Sequence, residues 1–530
     1  MNKNLFSIKK EHESSIKHVT GKASYTDDIP EPNNLLHGAI GYSKISKGKI
    51  KNIDLKDVLN SEGVKKVITY RDIPGINDVG PVFKGDPIFT EDKIEYYGQP
   101  IFAVAATTTE LARKAIKKAK ITYLEKKPIL EIKEAIKKKS FVLEPIKIKR
   151  GDSTKNIKKS KHTIEGELYS GGQDHFYLEG QITLTIPKED DNFIIYTSTQ
   201  HPSETQQIVA KVMNQKFNSI NVRVRRIGGG FGGKETQSFI FSAIATLLSK
   251  HTGCPTKLRI DRDDDMIITG KRHDFYYKYK VGFNSNGIIN GLDIIMASRC
   301  GFSPDLSGAI NDRAIFHIDN AYYIPNLKLI SYRCKTNTVS NTAFRGFGGP
   351  QGMFCIENII ENISEYLKTE PTKIRKNNFY KKNYNNITHY GMKIKDNIIE
   401  NIFDDLLIKS NYYKRKKNII NFNNKNSIFK KGISITPVKF GISFTTTHLN
   451  QGGALVHVYT DGSVHLNHGG IEMGQGLMTK ISQIAANQFG ISTNDIKITS
   501  TNTEKVPNTS ASAASASTDI NGGAVIDAIK

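Results

Sequence analysis

Cysteine is scarce in this chain, and Cys254, Cys300, Cys334 and Cys355 stand far apart with no Cys-x-x-Cys among them. That spacing excludes a zinc site, an iron–sulfur cluster or a disulfide framework built on cysteine pairs. Redox chemistry here cannot run through clusters of the chain's own. Long apolar runs are missing too. No window approaches the roughly 20 apolar residues of a membrane span, and the N-terminal MNKNLFSIKKEHESS has no signal-peptide core. A cytoplasmic protein with no membrane partner is the expectation. The formal net charge is +23, yet no basic patch with interleaved aromatics accompanies it. Lysine is spread through segments equally crowded with asparagine and isoleucine, a compositional drift rather than a basic face. No nucleic-acid partner is expected.

What the chain does have is glycine in hinges. The strand-like run Val222–Ile227 leads into Gly228-Gly229-Gly230-Phe231-Gly232-Gly233, then Lys234-Glu235, and a helix is expected from about Thr236. Strand, glycines and helix in that order make an anion site, with bare backbone and unpaired N–H groups facing the ligand. Gly228-x-Gly230-x-x-Gly233 also satisfies the dinucleotide fingerprint, with Asp261 ending a later strand-like run. A lone match of that kind decides nothing.

Along the chain, Gly98–Ala105 reads as an apolar strand, Thr108 or Thr109 as the cap of a helix, and Ile121–Leu124 as a strand again. A lysine-rich stretch over 136–161 reads as a linker. The helix after Glu235 is apolar on nearly every side, so it is expected to be buried and stopped by Gly253 and Pro255. Residues 381–430 read as a connection with one or two surface helices. Strands are expected again at Gly432–Ile435, Leu455–Tyr459 and Val464–Leu466, with Asp461-Gly462 turning between the last two.

Further stretches carry chemistry: GGQDHFYLE at 171–179, TAFRGFGGPQ at 342–351, HGGIEMGQG at 468–476, and PNTS at 507–510 running into a Ser/Ala tract. Singly, each has a plainer reading as a turn, a capping amide or a flexible linker. Together, three glycine hinges bearing amides suit a large polar cofactor, because backbone N–H groups and glutamine amides meet a phosphate or a heterocycle edge without adding charge.

With FGISF and YTDGSV added, these motifs in this order resemble the molybdenum-cofactor subunit of the xanthine dehydrogenase and aldehyde oxidase family over nearly the whole chain. The resemblance implies an α+β fold, with an N-terminal α/β hammerhead domain over 1–135. The linker and a first cofactor-binding lobe over 162–400 follow, then a second, incomplete lobe over 401–530. It implies a molybdenum–pterin cofactor whose metal is ligated by the dithiolene of the pterin rather than by protein ligands, with [2Fe–2S] clusters and FAD on a partner subunit and a cofactor-insertion chaperone as a further partner. By this likeness Gln173, Phe231 and Arg345 lie in the vicinity of the metal, and Gly232, Gly474, Gln475, Ala514, Ser515 and Ser517 touch the cofactor. Phe347 and Phe444 would sandwich a flat purine, Glu235 and Arg313 would orient it, and Thr445 and Leu449 would line the channel. The plainer readings of Glu235 and Arg313 are a helix-start carboxylate and a surface ion pair. The implied reaction is oxidation of hypoxanthine and xanthine to urate.

Two departures stand against this pattern. His448 replaces a phenylalanine common at the channel. The family's general base, a glutamate in a Gly-Glu-Pro motif, falls beyond residue 530, and Glu144-Pro145 lacks the glycine. A C-terminally truncated chain is therefore expected. A catalytically inactive remnant and an aldehyde oxidase-like hydroxylase remain as alternatives.

Overall fold

In the computed structural model, which describes residues 10–441, 449–513 and 516–530, an eight-stranded mixed sheet forms the spine. Its spatial order is Thr501–Asn502, Ile220–Val224, Phe193–Thr197, Ile182–Pro187, Thr256–Arg259, Leu36–Tyr42, Pro100–Ala106 and Val64–Thr69. Strands from the first hundred residues and from the middle of the chain thus share one sheet. They meet where Leu36–Gly38 pairs in parallel with Thr256–Leu258. Every residue of Pro100–Ala106 is buried, as befits an interior strand covered on both faces. Thr108 caps the next helix, Thr109–Ile116, its hydroxyl accepting from the Leu111 N–H at 3.1 Å.

The helix Phe239–Thr252 covers the sheet over Ile182–Pro187 and Thr256–Arg259 and is buried along nearly its whole length. Gly253, at φ +67°, ends it in the left-handed conformation that glycine takes without penalty. Asp261 does not sit in a dinucleotide fold. It caps the short helix Arg262–Ile268 through the Asp264 N–H and pairs with Arg113 at 3.2 Å.

A second sheet of five strands runs in the order Phe141–Arg150, Leu327–Lys335, Ile289–Gly301, Phe275–Phe283, His162–Ser170. Ile356, Ile359, Ile360 and Ile363 of the helix Gly349–Tyr366 pack into its core. The stretch over 136–161 belongs to this sheet and is no linker. Phe141–Arg150 pairs antiparallel with Leu327–Lys335, and the helix Ser153–Lys159, capped by Asp152, lies against Ile289–Gly301. Ile157 and Ile148 supply its buried side. Its lysines face outward, where charge on an edge strand discourages pairing with other chains.

Ala454–Val458 and Val464–His468 form the expected hairpin over Asp461-Gly462, joined by Ile496–Ile498 in a three-stranded sheet. Gly432–Ile435 has no regular structure, and the isoleucines Ile433 and Ile435 anchor it to the core of the five-stranded sheet instead. Helices Ile399–Lys409 and Tyr412–Lys425 follow the expectation for residues 381–430. The Ser/Ala tract leads into a helix, Ala516–Ile529, which runs straight through Asn521-Gly522-Gly523. Among the described residues no helix is long and apolar enough to cross a membrane.

Candidate cofactor and substrate site

The glycine loop does not work as a simple anion site. The helix after it begins at Phe239 rather than near Thr236, and half of the six N–H groups of Gly228–Gly233 are taken. Gly228 donates to the Glu179 carboxylate at 2.7 Å, Gly232 to the Gln200 side-chain carbonyl at 2.9 Å, and Gly233 to the Gly230 carbonyl at 2.8 Å. What these bonds do is fix Phe231 at φ +55°, half-exposed at the tip. Phe347 on the second hinge stands at φ +48°. A left-handed phenylalanine costs on the order of 1–3 kcal/mol and persists only where its surroundings over-determine it, which happens mostly at functional sites. Gly232, at φ +99°, lies so close to the second hinge that a Cβ there would meet the Ala343 carbonyl oxygen at 2.6 Å. Only glycine fits.

Four motifs converge on this loop. Arg345 donates its N–H to the Phe231 carbonyl at 2.9 Å, and the Arg272 guanidinium reaches the Arg345 carbonyl at 2.7 Å while lying 4.0 Å over the Phe344 ring. The Arg272 N–H in turn bonds the Gln173 carbonyl at 2.9 Å. His175 donates to the Ala343 carbonyl at 2.7 Å, and burial depresses its pKa to about 4, so the ring is a neutral packing element. Ile227 donates to the Glu472 carbonyl at 3.0 Å, tying in the third hinge. There Glu472, 1% exposed, accepts from the N–H groups of Gly474, Gly476 and Met478. The Gln475 amide closes on its own loop, accepting from Met473 at 2.6 Å and donating to the Ile471 carbonyl at 2.8 Å. Gln475 thus shapes the hinge that carries it.

The Gln173 side chain is exposed, and Gln200 is a buried amide beside the loop. Its carbonyl end serves Gly232, its amide end donates to the Ser512 carbonyl at 3.0 Å, and Ser512 returns an N–H to the Gln200 backbone at 2.8 Å. The Ser512 hydroxyl accepts from Ile471 N–H at 2.6 Å. One glutamine therefore joins the glycine loop to the Ser/Ala tract and, through Ser512, to the third hinge. Sequence reasoning missed it. The available signal was a polar run, Thr197–Gln200, closing an apolar strand just before a helix with Pro202 at its start.

Glu235 follows the loop and is buried, which pushes its pKa up to about 7, opposed by His201 and reinforced by Asp305 and Glu204. His201 donates to the Thr509 carbonyl at 3.0 Å and pairs with Glu204 at 2.7 Å. Burial works against its charge, but Glu204 wins and its pKa is raised. Arg313, on the helix Ser307–Phe316, bonds the Gly441 carbonyl and lies 5.8 Å from the Phe347 ring and 5.5 Å from that of Phe440. Leu449 is half-exposed and accepts from the Ser510 hydroxyl. Phe444, Thr445, His448, Ala514 and Ser515 lie outside the described residues.

The cradle fits a large polar group. A cavity of about 650 Å³ opens beside Phe231, lined also by Arg226, Gly228, Gly229, Glu472 and Gly474. The Ser517 hydroxyl is buried without a hydrogen-bond partner among the described residues, as a group waiting for a ligand would be. No cluster of three or more His, Cys, Asp or Glu side chains suited to a metal occurs among the described residues, and a cofactor that brings its own metal ligands requires none.

Two family models described as molybdopterin cofactor-binding domain match residues 134–379 and 405–530, so the chain is built for that cofactor. A third, described as aldehyde oxidase and xanthine dehydrogenase, a/b hammerhead domain, matches residues 20–127. The chain belongs to the xanthine dehydrogenase and aldehyde oxidase family. Xanthine dehydrogenase of Dictyostelium discoideum is 45% identical over 98% of this chain and 38% of its own length. Xanthine dehydrogenase/oxidase of Gallus gallus is 46% identical over the same shares. The chain thus spans about two fifths of the length of these relatives. Quinoline 2-oxidoreductase from Pseudomonas putida 86 shares the fold at a TM-score of 0.86 and 20% identity, over 98% of this chain and 69% of that one.

Proposed function

We propose that this chain is the molybdenum-cofactor and purine-binding part of a xanthine dehydrogenase, oxidising hypoxanthine and xanthine toward urate and passing the electrons to a partner that carries [2Fe–2S] clusters and FAD. The observation that carries the reading is the pairing of Phe347, held in a strained left-handed conformation, with the Arg313 guanidinium 5.8 Å from its ring. In this reading a flat ring against Phe347 would lie within reach of that guanidinium. Arginine's fork suits a carbonyl on which negative charge develops, and it stays charged even where burial lowers its pKa. Glu235, poised near neutrality, donates a proton in a hydrogen bond to a ring nitrogen when protonated and accepts one when ionised. Arg345, Gly474 and Ser517 would hold the cofactor, which when bound supplies the oxygen-atom and electron-transfer chemistry of a hydroxylase.

Chain purified from a cell that loads an intact relative is expected to carry about one molybdenum and one pterin per chain, a cofactor-bearing site being saturated when the group is bound tightly. Metal analysis that finds neither sinks the cofactor reading. In the complete enzyme, Glu235→Ala and Arg313→Met are each expected to cut kcat/KM for xanthine by about 10² or more while changing aldehyde turnover far less. Equal losses on both substrates would refute the orienting roles.

A further inference from the structure

At the entry to the glycine loop lies a charged pair, Lys234 and Glu179, the second of which also lines the cavity beside Phe231. Lys234 is fully buried. Its Nζ donates to the Glu179 carbonyl and to the Ser198 hydroxyl, both at 2.6 Å, lies 3.6 Å from the Glu179 carboxylate, and sits 4.4 Å over the Tyr177 ring. The same Glu179 carboxylate accepts from Gly228 N–H at 2.7 Å, from the Ser198 hydroxyl at 2.6 Å, and from Thr26 N–H at 3.3 Å. Glu179 also donates its own N–H to the Gly228 carbonyl at 3.2 Å. The first residue of the glycine loop is therefore held by both its backbone groups. At the other end, Gln181 donates to the Gly233 carbonyl at 2.9 Å.

A buried ammonium is expensive unless paired, and a hydrocarbon of the same shape would pack there at lower cost. What the pair provides instead is direction. An ionised carboxylate takes three donors at set angles, with bonds stronger than those of a neutral acceptor. We propose that Lys234 and Glu179 are a positioning pair for the cofactor loop. The ammonium lies 3.6 Å from the Glu179 carboxylate and balances its charge, and the carboxylate fixes the entry to Gly228–Gly233, so that Phe231 stands at the cradle. The identity of the ligand rests on the reading above, whereas the loop geometry does not.

Three variants test it: Lys234→Met, Glu179→Gln, and the two combined. Either single change leaves one buried charge without its partner, whereas the double variant leaves none and keeps an oxygen that accepts from Gly228 N–H. Hydrogen exchange of peptides covering 228–233 is expected to quicken at least about tenfold in each single variant, with strand Pro100–Ala106 unchanged. Bound pterin is expected to be lost faster on gel filtration in step with that loosening, and the double variant should recover most of both. Wild-type exchange in Lys234→Met overturns the pair, as does a double variant looser than either single one. Loosened exchange with unchanged pterin retention overturns the link to the cofactor. A single variant that fails to fold is answered by the double one, which must fold and protect the loop if the proposal holds. The two failures are separable: wild-type protein without pterin counts against the cofactor reading, and unchanged exchange counts against the pair.

Discussion

Glu235 shows how one position gains a chemical role from its neighbours. In the sequence it is a carboxylate at the expected start of a helix, where a dipole would favour its charged form. In the structure burial dominates and lifts its pKa from 4.5 to about 7, with the carboxylates of Asp305 and Glu204 adding to the lift and His201 opposing it. The fold therefore prefers the neutral acid. A raised pKa of this kind contributes stability in full below about pH 4.5 and loses it as the pH rises through 7. Glu235→Gln, which is neutral throughout, is expected to be more stable than the wild type at pH 8, by at most about 3 kcal/mol. The advantage should shrink to nothing near pH 4.5. Denaturant midpoints measured across that range check it, and a constant offset at every pH would mean that burial of the charge is not what sets this site.

At the scale of elements, what could be read in advance was what local rules specify. The cap at Thr108, the hairpin over Asp461-Gly462 and the buried helix stopped by Gly253 each rest on a few neighbouring residues, and each is present. The strand Phe141–Arg150 was not legible, because its lysines and Pro145 mimic a connector and its partner, Leu327–Lys335, lies far along the chain. The helix Ala516–Ile529 was hidden by its two glycines, which tertiary packing overrides. The cofactor cradle falls between these cases. Its hinges stood out as glycine clusters, but the residues that fix them did not. Gln200, Glu179 and Lys234 act across long sequence separations, through bonds that no local pattern announces. Gln475 was a visible amide, and its bonds to Met473 and Ile471 within the loop were not legible beforehand.

At the scale of the whole molecule, the hammerhead residues and the first cofactor-binding lobe share one sheet rather than meeting as separate bodies. The seam, Leu36–Gly38 against Thr256–Leu258, is interior to that sheet. Lys257, 6% exposed, crosses it to reach Asp27 at 2.6 Å and Glu31 at 2.8 Å. Glycine-loop strand Ile220–Val224 lies toward one edge of the sheet and Pro100–Ala106 toward the other, with the seam between them. Damage to the hammerhead core should therefore be felt at the cradle. Phe102, 1% exposed, packs with Ile94, Ile101 and Val104, and Phe102→Ala is expected to cost about 3–5 kcal/mol. If the sheet unfolds as one unit, thermal unfolding shows a single lowered transition, and hydrogen exchange in Ile220–Val224 rises together with that in Val64–Thr69. Two separate transitions, with Ile220–Val224 keeping its wild-type protection while the hammerhead strands open, would show that the shared sheet does not couple the hammerhead to the site.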